Sequence, residues 1–230
     1  MKKIFKGDII YTKNPNSFEV NKDSYLIVED GVVKEICRYL ESIPSDCEYL
    51  DYTNKLIIPG FVDIHLHSSQ FFNIGLGMDK ELIPWLNTYT FPEEAKFRDL
   101  EYAKTAYSKF VIDLVNKGTT SSVIYSTIHK ESTMLLMDLL DKANLRAYVG
   151  KVNMDRNTID ELCENTNDSI KETEEIILSS NSNRVKPIIT PRFVPSCSKE
   201  LMEGLSKLAI KYNVPVQSHL SENTNEVKWV

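Results

Sequence analysis

The sequence predicts an α/β protein built mainly as a (β/α)8 barrel that is incomplete in this chain, and three observations lead there. β-Branched and aliphatic runs alternate with amphipathic stretches from residue 56 onward, the pattern of a parallel sheet flanked by helices. No G-x-G-x-x-G or G-x-x-x-x-G-K-S/T follows any run, so the doubly wound nucleotide folds lose their usual support. Polar residues with chemistry to offer close successive runs: His65 and His67, Thr127 and His129, Asp155, Arg192, His219. That is the end of the strands where barrels of this kind gather their active sites.

Residues 1–55 read as a small β piece, with strands over Ile4–Thr12, Ser24–Glu29, Val32–Ile36 and Glu48–Asp51. Asp30-Gly31 sits where a tight hairpin turn needs residues that tolerate positive φ. The apolar residues of this piece are too few for a convincing core. Residues 56–230 form the second part, with strands expected at 56–66, 119–127, 145–154, 184–193 and 214–220. Helices are expected between them at about 80–87, 99–117, 131–143, 168–181 and 198–212. Leu56–Ile64 suits a strand buried on both faces. The count reaches roughly five βα units, whereas a whole barrel needs eight strands and about 250 residues.

With 230 residues, 42% of them hydrophobic, the chain can bury a sizeable core. A net charge of -6 without basic runs argues against nucleic acid or an acidic membrane as partner. A small molecule is expected instead. Cys37, Cys47, Cys163 and Cys197 are scattered with no C-x-x-C spacing, which fits reduced thiols in packing positions. Met1-Lys2-Lys3 leads into too short an apolar run for a signal peptide, and no stretch approaches the roughly 20 apolar residues of a membrane helix. A cytoplasmic location is therefore expected, and Asn167-Asp168-Ser169 carries no meaning for glycosylation.

The chemistry centres on Asp63-Ile64-His65-Leu66-His67. Side chains two apart on a strand point the same way, so His65 and His67 face one side together, with Asp63 on the same parity and placed to orient a ligand. Two such imidazoles can share a divalent cation, and their chemistry suits Zn, Fe, Ni or Co better than Mg or Ca. This is half a metal site; the bland alternative is a pair of stacked or solvated histidines at a strand end.

The surrounding text supplies a family. Pro59-Gly60-Phe61-Val62-Asp63-Ile64-His65-Leu66-His67 resembles the first barrel strand of the amidohydrolase superfamily, and His67-Ser68-Ser69-Gln70 is similar to the end of that strand in its guanine deaminase branch. Trp85-Leu86-Asn87-Thr88-Tyr89-Thr90-Phe91-Pro92, Gly118-Thr119-Thr120, Thr127-Ile128-His129, Val149 to Asp155, Thr190-Pro191-Arg192-Phe193 and Gln217-Ser218-His219-Leu220-Ser221-Glu222-Asn223 follow in the same order as in those enzymes. The resemblance covers nearly the whole chain. H-x-H alone is weakly specific, whereas T-P-R-F followed by Q-S-H-x-S-E-N is strongly so.

The resemblance implies a metal bound by His65, His67 and His219, with zinc the first choice and iron the alternative. It implies that Glu222, assisted by His219 at the metal, carries the catalytic proton transfer, moving a proton from water to a ring nitrogen of guanine. Gln70, Arg192, Phe193, Trp85 and Leu86 would bind the purine, Arg192 toward its carbonyl and Phe193 along its face. Taken without the family, Glu222 reads as a capping residue and Trp85 as helix packing. His129 has no role assignable from its chemistry. The activity implied is hydrolysis of guanine to xanthine and ammonia, with guanine and water as partners and a homodimer at full length. The family's small domain is a β-sandwich to which residues 1–55 would contribute one portion.

In the family a further metal-binding histidine lies on the sixth strand and an aspartate on the eighth, and these 230 residues hold neither segment. Little or no activity is therefore expected of this chain alone. Two other readings compete: an amidohydrolase for a different aminated heterocycle, and a non-catalytic scaffold of the same fold. A lysine at the end of the fourth strand would favour the first. Arg192-Phe193 stands there instead.

Overall fold

Asp30 and Gly31 have φ of 52° and 77°, the left-handed pair that a two-residue hairpin turn requires. They join β2 (Ser17–Glu29) to β3 (Val32–Cys37), and Pro15-Asn16 joins β1 (Lys2–Asn14) to β2. β4 (Glu48–Ile57) completes a mixed sheet of order β3-β2-β1-β4, parallel only between β1 and β4. The computed structural model describes all 230 residues, which fall into two units, Met1–Gly60 and Phe61–Val230. In the first, β2 begins seven residues before the sequence pattern suggests, because Phe18 and Val20 alternate with polar residues on an exposed ribbon. Ile4, Ile9 and Ile27 are its buried aliphatic side chains.

The second unit is a parallel sheet of order β5-β6-β7-β9, made by β5 (Phe61–His67), β6 (Thr119–Tyr125), β7 (Arg146–Gly150) and β9 (Val185–Pro187). β8 (Val152–Asn153) and β10 (Thr190–Pro191) continue β7 and β9 as a short parallel pair. Pro187 has no N–H to give the ladder, and the expected strand 184–193 is interrupted directly after it. The strand expected at 214–220 is reduced to two parallel bridges, Ile189 to Val216 and Phe193 to His219.

The strand expected at 56–66 needs correcting. Leu56 and Ile57 pair with Asp8 and Ile9 as the end of β4, and the histidine strand starts at Phe61. Nor is it buried on both faces: Phe61, Val62 and Ile64 are exposed, because β5 is an edge strand with one neighbour, β6.

Helical text fares better. α1 (Leu82–Trp85) passes through a π-helical turn at Leu86–Thr90 into α2 (Phe91–Ala95), so the helical stretch runs well past residue 87. α3 (Leu100–Asn116) is capped by Asp99, whose carboxylate accepts from the N–H groups of Glu101 and Tyr102. Its stripe Ala103, Ala106, Tyr107, Phe110, Val111 and Leu114 packs with Leu136 and Leu140 of α4 (Lys130–Lys142) into the main core. α5 (Thr166–Ser179) starts at the Asn165 cap. α6 (Lys199–Tyr212) starts at Ser198 and stops at Asn213, whose φ of 52° ends the helix. A last turn, α7 (Thr224–Trp229), follows the segment that carries His219.

Of the cysteines, Cys197 is buried with its thiol donating to the Asn153 carbonyl, whereas Cys163 is exposed. The packing role expected of all four therefore fails for Cys163. Its loop runs over the surface. No helix is long and apolar enough to cross a membrane.

Candidate active site

β5 delivers His65 and His67 two residues apart at its C-terminal end, and the bridge from Phe193 to His219 brings the third imidazole alongside. One ligand nitrogen from each of His65, His67 and His219 lies within 4.8 Å of the others. The ring centroids are 5.3 Å apart for His65 and His67 and 5.0 Å for each of the other two pairs.

Hydrogen bonding decides which nitrogens are free. The Arg192 carbonyl can only accept, so His219 carries its proton on Nδ1 and donates it there over 2.7 Å. That leaves a bare lone pair on His219 Nε2, which faces His67 Nε2 at 3.0 Å. Two imidazole nitrogens so close need a shared proton or a shared cation between them. A divalent ion held by the three rings satisfies both, and a carbonyl behind a ligating imidazole is the usual device for fixing its orientation. His67 Nδ1 is enclosed without a partner. Burial, and then the nearby Arg192 charge, hold His67 well below the ordinary imidazole range, and burial pushes His219 down to about 4. Both rings are thus neutral at pH 7, the form a metal needs.

Behind the three rings stands Tyr125, at the end of β6. Its ring stacks on His67 at 4.5 Å and 16°, lies 4.4 Å from His219 and 5.2 Å from His65, and is buried. Burial pushes its phenol up to about 12. The sequence offered no sign of this beyond an aromatic at a strand end.

A cleft of about 270 Å³ opens over the histidines and is lined also by Gln70, Leu82, Trp85, Leu86, Arg192, Phe193 and Glu222. All nine residues expected at the site therefore face one space. Gln70 comes from the short helical turn after β5, Trp85 and Leu86 from the α1 junction, and Arg192 and Phe193 from the end of β10. The Trp85 indole N–H is tied to the Leu76 carbonyl at 3.0 Å, which holds the ring against the wall. Arg192 is buried, its Nη1 donating to Glu94 Oε2 at 2.8 Å and its guanidinium 5.0 Å from the Phe91 ring.

Glu222 sits on an exposed loop whose backbone is fastened by Glu226. The buried Glu226 carboxylate accepts from the N–H groups of Ser221, Glu222 and Asn223 at 3.1, 2.7 and 3.3 Å. Asn223 and Glu226 form the capping box of α7, so the motif at Asn223-x-x-Glu226 was readable, but not its hold on Glu222. Burial against the cleft, reinforced by the Glu226 charge, raises the Glu222 carboxyl, with His65 and Arg192 opposing.

Three other residues stand apart from the site. Asp63 accepts from the His65 backbone N–H at 3.1 Å, so it steadies the strand and orients no ring. Asp155 accepts from Ser198 and Thr166 and secures the start of α6. His129 stands at the N-cap of α4 without a side-chain capping bond and lines a separate groove beside Lys130 and Glu131.

Comparison with known proteins decides the family. Residues 56–230 match the family described as the amidohydrolase family. The chain belongs to the amidohydrolase family. Guanine deaminases from Dictyostelium discoideum and Homo sapiens are 40% and 39% identical over 99% of this chain, of which it covers 55% and 53%. The Escherichia coli (strain K12) guanine deaminase is 36% identical over 91% of the chain and 48% of its own length. Among solved structures, the guanine deaminase from C. acetobutylicum with bound guanine in the active site superposes with a TM-score of 0.93 and 54% identity, covering 98% of this chain and 54% of that one. This amidohydrolase chain thus spans about half the length of the curated relatives it matches. Its α/β unit is the corresponding part of the amidohydrolase barrel, about five βα units of it.

Proposed function

We propose that these residues form the metal and purine-binding part of a guanine deaminase, which hydrolyses guanine to xanthine and ammonia. The observation that carries the reading is the single cleft in which His65, His67 and His219 meet Glu222, Arg192 and Gln70. The likeness to guanine deaminases along the whole chain supports it.

A divalent ion, for which three imidazole ligands favour zinc, would supply a water acidified toward neutrality. His65, His67 and His219 would hold it, and the Arg192 carbonyl fixes the His219 ring. Glu222 accepts the water proton and returns it to a ring nitrogen of guanine as the water oxygen adds to the carbon bearing the amino group. The proton remaining on the added hydroxyl then passes by way of Glu222 to the amino group, and the carbon–nitrogen bond breaks as the carbonyl forms, releasing ammonia. Its raised pKa makes Glu222 a better proton carrier near neutral pH than an ordinary carboxylate. Arg192 donates to the purine carbonyl, and Gln70 offers both a donor and an acceptor to a base edge. Phe193, Leu86 and Trp85 enclose the flat ring. A homodimer and a cytoplasmic setting carry over from the resemblance, and sedimentation of the full-length protein checks the first.

Guanine loss followed by ultraviolet absorbance tests the function, using the full reading frame with and without added zinc. Zinc-dependent turnover of guanine, faster than of other aminated purines, is expected. Turnover confined to another heterocycle would contradict the reading.

A further inference from the structure

Glu94 lies in α2, 98 residues from Arg192 along the chain, yet the two form a fully buried ion pair at 2.8 Å. Glu94 is 0% exposed and Arg192 3%. Burying two charges costs more than such a pair usually returns in stability, so the pairing needs a reason besides stability. Its geometry supplies one. Only Nη1 of the guanidinium meets a protein acceptor, and Arg192 lines the cleft. The far side of the fork is left for a ligand. The Phe91 ring, 5.0 Å away, restricts the tilt of the guanidinium plane. Glu94 Oε1 is enclosed and has no partner, so the carboxylate is committed to the arginine alone.

We propose that Glu94 is the positioning residue for substrate recognition: it turns the Arg192 guanidinium so that its free N–H groups face a carbonyl on the bound heterocycle. This rests on the proposed purine reading and deepens it. Glu94 touches neither the histidines nor the cleft itself and acts through Arg192. A planar fork held on one side presents two donors in a fixed plane, which rewards a ring carbonyl and leaves a ring without one a poorer ligand.

Equilibrium binding to the full-length, zinc-loaded protein tests this with two probes: hypoxanthine, which has the carbonyl and lacks the leaving amine, and purine, which lacks both. Glu94→Gln keeps the reach and removes the charge, while Glu94→Asp keeps the charge balance, and so the fold, but retracts the carboxylate by one methylene. Both variants are expected to weaken hypoxanthine about tenfold or more, the size of a lost charge-assisted hydrogen bond, and purine less than about twofold. Zinc content of Glu94→Asp should stay at the wild-type value, which tells loss of recognition from loss of the fold. Equal losses for both probes, or none, overturn the inference. A wild-type protein that does not turn over guanine removes the functional reading, whereas guanine turnover with a probe ratio untouched by Glu94→Asp removes this inference alone.

Discussion

Arg192 faces two ways. Its carbonyl fixes the His219 ring while its guanidinium faces the cleft, so one residue links the histidine cluster to the cleft wall. Glu222 has no such double duty: its backbone is pinned by Glu226, and the proposed reaction asks its carboxylate only to move a proton. Glu222→Gln is therefore expected to lower kcat about 10²- to 10⁴-fold while bound zinc, by metal analysis, stays constant. His129 offers a test unrelated to the metal. Burial, helped by Lys151 and Arg98, depresses its pKa to about 4, and its Nε2 is enclosed without a partner. Its folded pKa lies below the ordinary 6.5, so the unfolded chain takes up the proton first and stability is lost as pH falls from about 6.5 toward 4. Denaturation midpoints measured across that range should fall less steeply for His129→Gln than for the wild type; equal slopes would contradict the assignment.

At the scale of elements, the third strand shows how closely the backbone is packed. A Cβ on Gly150 would lie 1.7 Å from Thr190 Oγ1 and 2.7 Å from the Ile188 carbonyl oxygen. Gly150→Ala should push β9 and β10 away from β7 and cost about 3 kcal/mol, read as a lower denaturation midpoint. Such a shift would also move Arg192 and reduce substrate affinity. α3, α5 and α6 were legible because each has a local signal: Asp99, Asn165 and Ser198 at the starts, Asn213 at an end of α6. The histidine trio was legible because period two sets His65 and His67 on one face and the family text marks His219. Glu94 was not. In Phe91-Pro92-Glu93-Glu94 it reads as an acidic first turn, and nothing local reveals a partner 98 residues away. Strand limits were blurred for a related reason, since Leu56 and Ile57 are as aliphatic as the strand they precede but pair with β1.

For the molecule as a whole, a parallel sheet gathers the ends of its strands on one rim, and the site follows from that rim. β5 contributes two of the three clustered imidazoles and the segment beyond β10 the third, while the loops between them supply the walls of the cleft. In the proposed function those three imidazoles meet at one ion. A crystal of this chain grown with zinc and measured at the zinc absorption edge tests that directly. One anomalous-scattering peak about 2.1 Å from a ring nitrogen of each of His65, His67 and His219 is the predicted result. A peak that leaves out His219, or zinc bound only elsewhere on the molecule, would contradict it.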